Sequence, residues 1–145
     1  MIAKGSCLCK GVAYEVELPF ERFMYCHCSR CRKATGSGHA ANAYVQPAAF
    51  RWLRGEAQIV RFDLPEARSF STSFCSTCGA PIPHATRSGR EVIVPAGSFD
   101  VDPGDRPTEN SCWTSRAAWS TSTADLPVGT PAAGAVDPQP ERWRP

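Results

Sequence analysis

No stretch of this chain approaches the roughly 20 consecutive apolar residues of a membrane-spanning helix, so no such span is expected. Charge of one sign is also lacking. Sixteen basic and 14 acidic residues leave a formal net charge of +2. That is too small to imply a nucleic-acid or membrane-surface partner. No stripe of alternating aromatic and basic residues reads as a nucleic-acid platform. There is no internal repeat. An apolar signal segment is missing as well, because Met1-Ile2-Ala3-Lys4-Gly5 runs straight into a cysteine motif. A cytoplasmic protein is therefore expected.

What the chain does have is eight cysteines in 145 residues. In a cytoplasmic protein these argue for metal ligation and against a disulfide framework. The length suits one domain with a modest core. Thirteen prolines and 11 glycines, set among short runs of Val, Ile, Phe, Tyr and Thr, favour a mainly β chain.

The local pattern agrees. Residues 12–18 alternate, which predicts a half-buried strand with Val12, Tyr14, Val16 and Leu18 inward. Further strands are expected at 21–25, 40–45, 50–54, 59–62 and 69–74. A hairpin is expected to turn at Ser88-Gly89-Arg90 and return through residues 91–95. Ser29 is expected to cap a short helix over 30–34 that ends at Gly36. Ser111-Cys112-Trp113 reads as a late short strand.

Seven cysteines fall into three clusters: Cys7 and Cys9; Cys26, Cys28 and Cys31; Cys75 and Cys78. A disulfide between positions two apart is badly strained. The same spacing lets thiolates converge on one zinc, about 2.3 Å from each sulfur. C-x-C with a distant C-x-x-C-G predicts a four-sulfur structural zinc on Cys7, Cys9, Cys75 and Cys78. The competing partition joins Cys26 and Cys28 to Cys75 and Cys78 and leaves Cys7 and Cys9 loose. In the first partition, Cys26, Cys28 and Cys31 stand alone with three sulfurs. Structural zinc sites are closed by four protein ligands, whereas catalytic ones keep a position open. Three thiolates on Zn²⁺ leave a net charge of −1 and one free position. A substrate thiol could be deprotonated there, or a carbonyl polarised. Arg30, Arg32 and Lys33 flank the motif and could bind the carboxylates of a peptide-like thiol. They could equally form a solvated basic edge.

The order C-x-C-x-G (7–11), C-H-C-x-x-C-R-K-x-x-G-S (26–37), F-C-x-x-C-G (74–79), W-x-S-R-A-x-W (113–119) and Asp125-Leu126-Pro127 resembles one known family. This is the glutathione-dependent formaldehyde-activating family, with its CENP-V/GFA domain and Mss4-like fold. The resemblance spans roughly residues 5–127. It implies packed antiparallel sheets stapled by zinc, with few short helical turns, over residues 1–128. A flexible Pro/Ala-rich tail would follow over 129–145, with Trp143 in it. It implies two zinc ions: a structural one on Cys7, Cys9, Cys75 and Cys78, and a catalytic one on Cys26, Cys28 and Cys31. It also implies a carbon–sulfur lyase-type reaction on a small thiol adduct, S-hydroxymethylglutathione, formed from glutathione and formaldehyde. The chain departs from the family pattern late. Ser111 and Cys112 stand where an apolar residue and a histidine are usual, and A-P-W reads Ala117-Ala118-Trp119.

His27 lies between two ligands, so a supporting or surface role is expected of it. His39 and His84 are candidates for a fourth ligand or a general base, set against ordinary surface or core roles. Cys112 reads as a small buried residue, with closure of the middle zinc site as the alternative. Two other function classes compete with the enzyme. One is a binding module on two closed zinc sites. The other is a thiol redox protein with Cys112 as nucleophile. An open metal position beside a pocket favours the enzyme, and a fourth protein ligand favours the module.

Overall fold

The computed structural model describes residues 1–129. Trp143 and nearly all of the expected tail lie outside the described residues. Along the chain run β1 (Ile2–Ser6), β2 (Ala13–Glu17), β3 (Arg22–Cys26), helix α1 (Ser29–Thr35), β4 (Ala40–Val45), β5 (Phe50–Arg54), β6 (Ile59–Asp63) and β7 (Ser71–Cys75). After these come β8 (Pro81–Ile82), β9 (His84–Ala85), β10 (Val92–Pro95) and β11 (Glu109–Ser111), with short 3₁₀ turns between elements.

The strands form three sheets, in the orders β1-β2-β5, β11-β3-β4-β10-β9 and β6-β7-β8. All the pairings are antiparallel except one. Strand β11 joins β3 in parallel, with Glu109 opposite Met24 and Ser111 opposite Cys26. The expected packed antiparallel sheets are present, with this one parallel pair at the edge of the second sheet. A parallel neighbour needs a long crossover, and β11 comes late enough in the chain to supply one.

The main core lies between the first two sheets. Tyr14 and Val16 of β2 are fully buried, as the alternation predicts, and Val12 just before the strand is too. Tyr14 and Val16 meet Phe23 of β3, Val45 of β4, and Val92 and Val94 of β10. Burying a Val or Phe side chain stabilises by about 1.5–3 kcal/mol. Tyr14 also packs against Phe50, Trp52 and Phe99, and its hydroxyl sits 2.7 Å from Ser98 Oγ. That bond satisfies the one polar atom of a fully buried ring.

A smaller core holds Cys7, Val12, Cys75 and Ile82, with Trp52 and Ile59 alongside. It joins the end of β1 to the third sheet. Two cysteines are thus core residues in their own right.

Strand β1 was not expected from the sequence. Its inward residues are the small Ala3 and Gly5, while Ile2 is more than half exposed. The hydrophobic pattern is therefore inverted relative to burial. The late strand is shifted as well. It ends at Ser111, and Cys112 adopts the left-handed conformation that opens a 3₁₀ turn over Trp113–Ser115.

Candidate metal centres

The structure brings Cys7, Cys9, Cys75 and Cys78 together, with all four sulfurs within 4.8 Å of one another. Cys7 and Cys9 sit in the β1–β2 turn, and Cys75 and Cys78 sit where β7 turns towards β8. The Cys7 and Cys9 sulfurs are 3.5 Å apart, and those of Cys9 and Cys75 are 3.9 Å apart. Four sulfurs about 2.3 Å from a tetrahedral ion stand roughly 3.8 Å from one another, so the set fits such an ion. Backbone donors face the sulfurs. The Val12 N–H points at Cys7 Sγ at 3.2 Å. The Ala80 N–H holds the Cys78 thiol down at about 6, and the Cys78 N–H lowers Cys75. Hydrogen bonds to the charged form favour thiolates, which are the form that binds metal. This grouping departs from the partition that would leave Cys7 and Cys9 loose.

Cys26, Cys28 and Cys31 form the second set, again within 4.8 Å of one another. Strand β3 delivers Cys26 at its end, and α1 begins at Ser29 just after Cys28. The cap of α1 is Cys28 rather than Ser29. Its side chain accepts from the Cys31 N–H at 3.4 Å. Gly36 ends the helix in the left-handed conformation, where its missing Cβ is an advantage. Within the set, the Cys31 thiol donates to Cys26 and holds it down at about 5, while Cys31 is pushed far up by the same contact. Three sulfurs this close cannot all ionise alone. A divalent cation would take the place of the shared protons.

All three sulfur residues line a cavity of about 1090 Å³, together with Arg30, His39 and Tyr44. Arg68, Phe70 and His84 line it elsewhere. The Arg30 and Arg68 side chains have no hydrogen-bond or ion-pair partner among the described residues. Arg32 instead donates from Nε to the His27 carbonyl at 3.3 Å. Lys33 is exposed on α1 and does not line the cavity.

The histidines differ from one another. His27 is 4% exposed, so it is no surface residue. Its Nε2 lies 3.0 Å from Asn110 Oδ1, and Trp113 packs edge-on at 4.9 Å. His39 stacks near Tyr25 at 4.3 Å, and burial lowers its basicity. Burial, with Arg61 nearby, holds His84 down at about 4. None of the three joins either sulfur set.

Cys112 is exposed, which corrects the expectation of a buried position. The strand ends one residue before it, so nothing covers its side chain. Asn110 was not singled out from the sequence, and neither was Arg68. Asn110 sits in Glu109-Asn110-Ser111, which carries no apolar pattern. Arg68 sits in a loop whose only local signal is Leu64-Pro65-Glu66.

No helix among the described residues is long and apolar enough to cross a membrane. No curated protein matches the chain. A crystal structure of a Rhodobacter sphaeroides protein is similar at a TM-score of 0.59 and 30% sequence identity, covering 74% of this chain and 98% of that one. The model of the glutathione-dependent formaldehyde-activating enzyme family matches residues 2–116. That span holds every cysteine and stops short of Trp119 and Asp125-Leu126-Pro127. With both sulfur sets and most of the chain inside the match, the protein belongs to the family of glutathione-dependent formaldehyde-activating enzymes.

Proposed function

We propose that the protein is a zinc-dependent carbon–sulfur lyase-type enzyme acting on a small thiol adduct such as S-hydroxymethylglutathione, in the cytoplasm. The observation that carries this reading is the opening of the three-sulfur set onto the large cavity. The four-sulfur set lies against a hydrophobic core and suits a structural zinc. The three-sulfur set suits a second, catalytic zinc. Zinc there supplies a Lewis acid that lowers the pKa of a bound thiol or polarises a carbonyl.

The chain's own residues do the rest. Arg30 presents an unengaged guanidinium to the cavity and binds a substrate carboxylate in a two-pronged way. Arg32 braces the ligand loop through the His27 carbonyl. Lys33, further along α1, adds positive charge to the approach. His84 stays neutral over the range where thiols react, so it adds no competing charge. In the forward direction the substrate S–H bond breaks, its sulfur bonds to the carbonyl carbon as the C=O π bond opens, and the released proton ends on that oxygen. The reverse breaks that C–S bond.

Carbon-13 NMR with labelled formaldehyde and glutathione tests the reading. Faster adduct formation with the metal-loaded protein, lost in Cys28→Ser, is expected. A rate equal to the uncatalysed one, with no effect of thiols on a cobalt-substituted spectrum, would move the reading to a binding module.

A further inference from the structure

We propose that Cys112 is an oxidation site, which a hydroperoxide joins to Cys26 in a disulfide, removing one sulfur from the Cys26, Cys28 and Cys31 set. The consequence for metal release rests on the reading that this set holds an ion. The disulfide itself does not.

The pairing of β11 with β3 creates the juxtaposition. Ser111 stands opposite Cys26, and the His27 N–H donates to the Ser111 carbonyl at 2.9 Å. The next residue, Cys112, leaves the strand at φ 54 and ψ 38. A non-glycine residue rarely adopts that conformation. The turn sets Cys112 beside the ligand loop, one residue past the Ser111–Cys26 pair. Cys112 is exposed, whereas Cys26 is half-buried and lines the cavity. Cys112 itself does not line the cavity. An oxidant can therefore reach Cys112 from solvent while the cavity is filled. The compact sulfur group leaves Cys112 out, so it stands beside the set rather than within it. Other pairings are less suited. Cys26 and Cys28 are two apart and would be strained, and Cys28 Sγ is engaged in capping α1.

The chemistry balances with hydrogen peroxide. Its O–O bond breaks as the Cys112 sulfur takes an OH group and becomes a sulfenic acid, and water leaves. The Cys26 sulfur then attacks the Cys112 sulfur. The S–S bond forms, the S–O bond breaks, and hydroxide leaves to become the second water. The two sulfurs together give up two electrons, which reduce the peroxide. Thiol–disulfide exchange with an added dithiol reverses the change.

The test uses the metal-loaded protein, with metal counted before oxidation. Hydrogen peroxide is added, released zinc is followed with a chromogenic chelator, and the cross-link is mapped by mass spectrometry. A Cys26–Cys112 cross-link with loss of two hydrogens is expected, with release of one metal equivalent. Because Cys112 is exposed, Cys112→Ser is expected to fold normally and to release metal several-fold more slowly. A Cys28–Cys31 cross-link, or equal release from Cys112→Ser, overturns the proposal. If the initial count shows no ion on the three-sulfur set, the metal reading fails and release with it. The cross-link map of that same protein still decides the disulfide.

Discussion

The sulfurs of Cys9 and Cys75 stand 3.9 Å apart although 66 positions separate them in the chain. That contact ties the β1–β2 turn to the end of β7, and Cys75 is fully buried beside Val12 and Ile82. Metal binding by such a set is folding energy. Cys75→Ser is expected to cost about 3 kcal/mol or more, which at about 4 °C per kcal/mol lowers the melting temperature by roughly 10 °C. A thermal melt checks this, and an unchanged, metal-replete melt would remove the structural role.

Cys28→Ser is expected to behave differently. Its set is confined to residues 26–31, so losing it frees only a local loop. Serine is also a good cap and can accept from the Cys31 N–H as Cys28 does. The melt should stay within a few degrees of wild type while one metal equivalent disappears from elemental analysis. Cys28→Ala loses the cap as well and should cost about 1 kcal/mol more.

The two sets should also differ in how they hold metal. With three sulfurs instead of four, the Cys26, Cys28 and Cys31 set is expected to lose its ion first to a mild chelator. Cobalt substitution reads this directly. Added glutathione should change the thiolate-to-metal bands of that set and leave those of the other set unchanged. Simultaneous loss from both sets would contradict the assignment.

Gly5 stands opposite Tyr14 in the β1–β2 ladder. A Cβ there would come within 2.3 Å of the Tyr14 ring and 2.6 Å of the Ser98 carbonyl oxygen. The carbonyl cannot rotate away, so Gly5→Ala is expected to destabilise by about 1–3 kcal/mol. Chemical denaturation measures the shift.

Several features were legible in the residues. The alternation through Tyr14 and Val16 marks a half-buried strand, and the cysteine spacings separate the two sets. Other features left no local trace. Strand β1 turns small residues inward because the Tyr14 ring fills the space above Gly5. Strand β11 carries no apolar pattern, and what places it is backbone pairing to β3 together with Asn110 on His27. Cys28 as a cap was hidden because serine, next to it, is the commoner capping residue. Arg30 and Arg32 are close in sequence and point to different tasks, a difference set by the direction in which the helix turns.

Burial keeps His84 uncharged until about pH 4, with Arg61 reinforcing the effect. An unfolded histidine takes a proton near 6.5. Below that value the unfolded chain binds a proton that the folded chain refuses, so stability falls as pH drops from about 6.5 towards 4, by at most about 1.4 kcal/mol per unit. His84→Gln should flatten this part of the stability curve. Urea melts at several pH values give the slopes, and equal slopes would show that His84 is not the group responsible.

Parallel strand β11 has a consequence for the order of events on the ribosome. Cys26, Cys28 and Cys31 are all made early, and their loop is complete long before Asn110 and Trp113 arrive to enclose His27. Cys7 and Cys9, although made first, wait for Cys75 and Cys78. A nascent chain therefore presents a finished three-thiol loop to the cell while its four-thiol partner is still half-built. The loop that finally faces the cavity is the first able to take up an ion, and its last wall is added only when β11 slides in beside β3.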